Sequence, residues 1–113
     1  MITIYHNNRC SKSREALHIL EASGKPFTVV KYLEQVPTKA ELTHIINLLD
    51  IMPIDLVRKN EAIWKDNYKN ENLTDNAIID IMLEHPKLIE RPIVVNGECA
   101  IIGRPPQDIT NIL

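Results

Sequence analysis

Cys10 is the residue of this 113-residue sequence with the clearest chemistry in reach. It lies in YHNNRCSKSREAL, residues 5 to 17, where a short apolar run gives way to a helical pattern. A sulfur at that junction meets the positive end of a helix macrodipole and the unpaired N–H groups of the first turn. Both favour thiolate over thiol, and thiols so placed have pKa values of about 3.5–7.5 against about 8.5 for a free cysteine. The same N–H groups form a seat for an anion beside the sulfur. Arg9, Arg14 and His6 bring positive charge into the neighbourhood. The plain alternative is an N-cap or a small apolar residue, and an exposed strand-to-helix junction is where a packed cysteine gains least. Two kinds of cysteine enzyme are excluded by spacing. A phosphatase-type loop needs an arginine where Ala16 stands, and a dithiol oxidoreductase needs a second cysteine where Ser13 stands. Cys10 therefore reads as a lone nucleophile.

The elements around it follow from periodicity. Ile2 to Tyr5 is short, β-branched and aromatic, the mark of a strand. Ala16, Leu17 and Leu20 recur with helical spacing from Ser11 onward, and Gly24 with Pro26 stops that helix. FTVVKYL, Phe27 to Leu33, reads as a second strand, so the first third is a βαβ unit with parallel strands and a right-handed crossover. Thr38 and Glu41 form a capping box before the stripe Leu42, Ile45, Ile46 and Leu49. Pro53 opens a short helix through Leu56 and Val57, KDNYKNEN reads as a loop, and Thr74 opens a helix that Pro86 closes. PIVV and ECAII flank Asn96-Gly97, the pair preferred in a two-residue type I′ hairpin. Pro105-Pro106 starts a last helix carrying Ile109, Ile112 and Leu113. The sum is an α/β fold of thioredoxin-like type. A four-stranded mixed sheet is built as β-α-β, a helical insertion at 36 to 88, and β-β-α, all in one domain spanning 1–113.

Composition narrows the class further. An apolar fraction of 44% and a charged fraction of 25% are those of an ordinary globular chain. A net charge of −2 gives no basic excess for nucleic acid, and no apolar run approaches membrane-spanning length. The N-terminus carries no signal-peptide pattern, so the cytoplasm is the expected compartment. Two cysteines without a CxxC are expected as free thiols there.

The stretch around Cys10 resembles the active-site segment of the glutaredoxin-coupled arsenate reductases, whose pattern is HN-x-x-CSKSR. The likeness continues through LVRKNE (56 to 61), ERPIVVNG (90 to 97) and AIIGRPPQDI (100 to 109), in the family's order and spacing. The resemblance implies that Cys10 attacks arsenate while Arg58, Arg91 and Arg104 bind the oxyanion, with His6, Ser13, Arg14 and Pro92 in support. Guanidinium forks suit a tetrahedral oxyanion and help to hold the thiolate. On this reading the distant arginines, rather than Arg9 and Arg14, are the main partners of the sulfur. It also implies a cis bond before Pro92, glutathione as co-substrate with no bound cofactor, a glutaredoxin as protein partner, and a monomer. Asn8 departs from the pattern, which often has proline there, and the best-known reductases carry a longer C-terminus.

Arg91 and Arg104 each precede a proline, which holds their backbone extended at loop ends, where sites are often built. Cys99 is expected to face the core as a structural residue. His18, His44 and His85 lack metal-ligand spacing, and no metal is expected. Gly24, Gly97 and Gly103 are assigned to turns or caps. Two rival functions share the fold. One is a thiol-sensing regulator of the Spx type that binds RNA polymerase; many of these carry the CxxC that Ser13 interrupts. The other is a monothiol, glutaredoxin-like transferase acting on glutathionylated proteins.

Overall fold

Ile2 and Ile4 are buried while Thr3 and Tyr5 are half-buried, the alternation that lays β1 (Ile2–Tyr5) on a core with one face. The computed structural model describes all 113 residues. They form two compact units, Met1–Gln35 with Arg91–Leu113, and Val36–Glu90.

In the first unit β1 is followed by α1 (Ser11–Ser23), β2 (Phe27–Val30), β3 (Ile93–Asn96), β4 (Cys99–Ile102) and a 3-10 helix, Pro106–Ile112. The sheet order is β2-β1-β3-β4, parallel between β1 and β2 and antiparallel elsewhere. This is the four-stranded mixed sheet of a thioredoxin-like fold. Ile2, Ile4 and Val94 of the sheet pack with Ala16 and Leu20 of α1 and Ile109 of the 3-10 helix. A fully buried Leu20 contributes on the order of 1.5–3 kcal/mol, and the same burial fixes the helix whose first turn carries Cys10. α1 ends where Gly24 takes φ 73°, a left-handed cap that costs glycine nothing.

Four details differ from expectation. The second strand ends at Val30 rather than Leu33, because β1 is only four residues long and offers no partner beyond Tyr5. His6 N–H closes the ladder on the Val30 carbonyl at 2.8 Å. The chain then curls, Glu34 and Gln35 N–H both donating to the Lys31 carbonyl. The hairpin pairs Asn96 with Cys99, so its loop is Gly97-Glu98. Only Gly97 has positive φ (62°), the sign pattern of a type II′ turn rather than I′. Cys99 is exposed, not in the core: it opens edge strand β4 directly after that turn. The polar run KDNYKNEN is helical in its first three residues, because buried Trp64 anchors α3 (Ala62–Asn67) ahead of it.

The second unit contains α2 (Lys39–Leu49), a 3-10 turn at Pro53–Leu56, α3, α4 (Asp75–Glu84) and a 3-10 turn at Pro86–Leu88. The expected capping box is present, with Glu41 N–H on Thr38 Oγ1 at 3.1 Å and Thr38 N–H on Glu41 Oε1 at 3.0 Å. α4 packs on α2 and on both 3-10 turns. Arg58 N–H to Leu88 O (2.7 Å) and Glu90 N–H to Leu56 O (2.8 Å) close the unit across a Val57–Ile89 bridge. No helix of the protein is long and apolar enough to cross a membrane.

Candidate functional site

Cys10 is the N-cap of α1, with extended backbone (φ −99°, ψ 120°) and its carbonyl already accepting Arg14 N–H at 3.0 Å. The Ser13 N–H is directed at its sulfur without closing a capping bond. Contrary to the expected exposed junction, the residue is 6% exposed, with the Arg104 guanidinium forming part of its cover. Burial is the largest influence on the thiol and raises its pKa. The Ser13 N–H, a hydrogen bond from Arg91 and the charges of Arg91 and Arg104 outweigh it, and the net direction is downward. The sulfur is thus held toward thiolate in a partly dry, cationic setting.

The two arginines arrive on adjoining loops that bind each other. Arg104 Nη2 lies 3.8 Å from Cys10 Sγ, and Arg104 Nε donates to the Arg91 carbonyl at 2.8 Å. One residue earlier, Gly103 N–H donates to the Pro92 carbonyl at 2.8 Å. The Arg91-Pro92 bond is cis, as the resemblance implied, and so is Arg104-Pro105. Gly103, assigned to a turn or cap from the sequence, sits instead where these two loops approach closely. A Cβ there would stand 2.9 Å from Pro92 Cγ and 3.1 Å from Ile109 Cγ2, so a side chain would force these neighbours to shift. A glycine at a strand end with no turn to make is the signal that could have shown this close approach.

Behind the sulfur, Ser13 is fully buried and its Oγ joins His6 Nδ1 (2.6 Å) to the Asn7 N–H (3.0 Å). The hydroxyl accepts from Asn7 and has one hydrogen left to give to His6. Burial lowers the His6 pKa first, Lys31 and Arg14 push the same way, and bonds to Asn8 and Ser13 oppose. His6 is therefore held neutral and serves as a brace. Asn8, in place of the frequent proline, supplies a side-chain partner that proline lacks. Arg14 donates from Nη1 to the Asn8 carbonyl at 2.9 Å and braces the same loop.

The first unit thus brings together Cys10, Ser13, His6, Arg14, Arg91, Pro92 and Arg104. Arg58 belongs to the second unit, where its guanidinium contacts Glu61 at 2.6 Å and Glu90 at 3.7 Å. No group of three or more His, Cys, Asp or Glu side chains is placed to hold a metal ion.

Comparison with known proteins bears on this arrangement. The model of the ArsC family matches residues 5–112. An uncharacterised Escherichia coli protein, YfgD, is 41% identical, the alignment covering 99% of this chain and 96% of that one. An arsenate reductase of Neisseria meningitidis is 40% identical, covering 99% and 97%. The structure of an arsenate reductase from Vibrio cholerae superposes with a TM-score of 0.94 at 44% identity, covering 99% of this chain and 97% of that one.

Proposed function

The chain belongs to the ArsC family, and we propose that it is an arsenate reductase in which Cys10 is the nucleophile and a glutathione–glutaredoxin pair supplies the electrons. The observation that carries the reading is the lone sulfur at a helix N-terminus with Arg91 and Arg104 beside it and no second thiol in the adjoining turn.

The Cys10 thiolate attacks arsenic(V) of dihydrogen arsenate. An As–S bond forms, one proton is taken up and water leaves. Charge grows on the arsenate oxygens during this addition, where guanidinium donors fixed in place are most effective. Glutathione then replaces a second arsenic-bound hydroxyl, again as water, giving an arsenic(V) centre with two thiolate ligands. A glutaredoxin thiolate attacks the glutathione sulfur. The As–S bond to glutathione breaks, its electron pair stays on arsenic, and the products are a glutaredoxin–glutathione disulfide and cysteinyl arsenite. Water releases arsenite and returns Cys10. His6 and Ser13 hold the loop that presents the sulfur, and the same chemistry assigns the protein to a reducing cytoplasm. Arg58 enters from the family resemblance as a third oxyanion partner.

The test is turnover coupled to glutaredoxin, glutathione and glutathione reductase, run beside alkylation of Cys10 with iodoacetamide. Arsenate-dependent NADPH oxidation, lost in Cys10→Ser, and slower alkylation with arsenate present are the expected results. Alkylation at the rate of an ordinary thiol, indifferent to arsenate and with no turnover, overturns the reading.

A further inference from the structure

On the N-terminal side of Cys10 the first unit contains a cavity of about 320 Å³ lined by His6, Asn7, Asn8, Arg9, Lys31 and Glu34, with Leu33 at its apolar edge. Both walls are fixed by the fold. His6 to Arg9 are tied down by Cys10 N–H on the Asn7 carbonyl (3.1 Å), Arg9 N–H on Asn7 Oδ1 (2.9 Å) and the Arg14 and Ser13 bonds. Opposite them, Glu34 N–H on the Lys31 carbonyl (2.9 Å) puts Lys31 and Glu34 on one turn.

The charges at this cavity are unspent. Arg9, Lys31 and Glu34 form no ion pair within the chain, although both signs line the same space. A second oxyanion seat does not suit it, because Glu34 repels what the cations attract. Two cations and one anion instead complement a ligand with two carboxylates and one ammonium.

Resting on the arsenate reductase reading, we infer that this cavity seats the charged groups of the peptide thiol co-substrate, Lys31 and Arg9 taking the carboxylates at its two ends and Glu34 the ammonium of its glutamyl residue. The Asn7–Arg9 wall runs directly into Cys10. One extended residue spans about 3.3–3.6 Å, so Asn8 and Cys10, two residues apart, lie within the length of an extended tripeptide. The oxyanion is met by Arg91 and Arg104, and the thiol comes in along the other flank of Cys10. The two reactants then do not compete for one set of donors.

The experiment has two arms. S-methylglutathione, which cannot react, is titrated into the full ¹⁵N-labelled chain without arsenate. Amide shifts concentrated at 6–9 and 31–34, weakened in Lys31→Ala and Glu34→Gln, are expected. Shifts elsewhere, or none, overturn the inference whether or not arsenate is turned over. In the coupled assay each substitution raises KM for glutathione about threefold and the pair about tenfold, the scale of exposed charge contacts, while KM for arsenate stays put. Unaltered glutathione KM in an enzyme that does reduce arsenate also overturns it. Absence of turnover with local shifts intact counts instead against the reductase reading. Both residues lie on a surface turn, and circular dichroism of each variant separates misfolding from lost binding.

Discussion

Arg104 reaches across ninety-four positions of sequence to place Nη2 3.8 Å from Cys10 Sγ while its Nε is spent on the Arg91 carbonyl. One guanidinium therefore does two jobs, and only a planar fork can do both. Arg104→Lys keeps the charge and loses the fork, so it is expected to behave nearly as Arg104→Ala, with kcat/KM for arsenate down on the order of 10²–10³-fold. Recovery of most activity in the lysine variant would show that charge alone matters.

The Cys10 thiol titrates below its unfolded value, and this has a signed consequence for stability. A group whose folded pKa is depressed stabilises the fold fully above its unfolded pKa, about 8.5, and loses that contribution as pH falls through the folded pKa. Thermal melts from pH 9 downward are expected to show a decline for the native chain that is reduced in Cys10→Ser. Parallel curves for the two would contradict the depressed pKa.

His6 adds to the acid side. Its folded pKa is lowered, chiefly by burial, so below about 6.5 the unfolded chain takes up a proton that the folded chain refuses, and stability falls further. A histidine side-chain NMR titration should find the His6 midpoint below 6.5. A midpoint at or above that value would remove the basis for calling it a neutral brace.

Ser13→Ala leaves the Asn7 N–H without its acceptor and removes the partner of His6 Nδ1 in a fully buried place. The expected cost is about 1–3 kcal/mol, read as a lower denaturation midpoint at constant slope. A midpoint within error of the native chain would mean that water or a shifted loop meets both groups.

Gly103→Ala is expected to cost about 1–3 kcal/mol by crowding Pro92 and Ile109, and also to loosen Arg104 from the sulfur, so that Cys10 alkylation at neutral pH slows. Gly97→Ala is the contrast. Space there is open and only its φ of 62° is at issue, so it should lose stability without changing the thiol. Equal alkylation in both variants would dissociate Gly103 from the site.

Much of this arrangement could be read from the chain. The strand-helix-strand order, the Thr38 capping box and the place of Cys10 at the N-terminus of α1 follow from local patterns, and locally encoded features survive folding best. What escaped depends on partners far along the chain. The second strand stops at Val30 because β1 runs out, which FTVVKYL itself does not encode. The burial of Cys10 and the exposure of Cys99 follow from which loop folds over which edge. The closeness of Gly103 to Pro92 needs both loops in place before it has any meaning. Arg91 and Arg104 could be singled out as pre-proline arginines by resemblance, but their mutual bond could not.

The first unit is assembled from the two ends of the chain, and this has a bearing on synthesis. A ribosome moving at about 5–20 residues per second makes Arg104 roughly 5–20 s after Cys10. Throughout that interval the nascent chain carries its sulfur without Arg91 and Arg104, two of the groups that lower its pKa. Truncated or stalled products that lack residues 91 and 104 should hold a less acidic thiol than the folded chain.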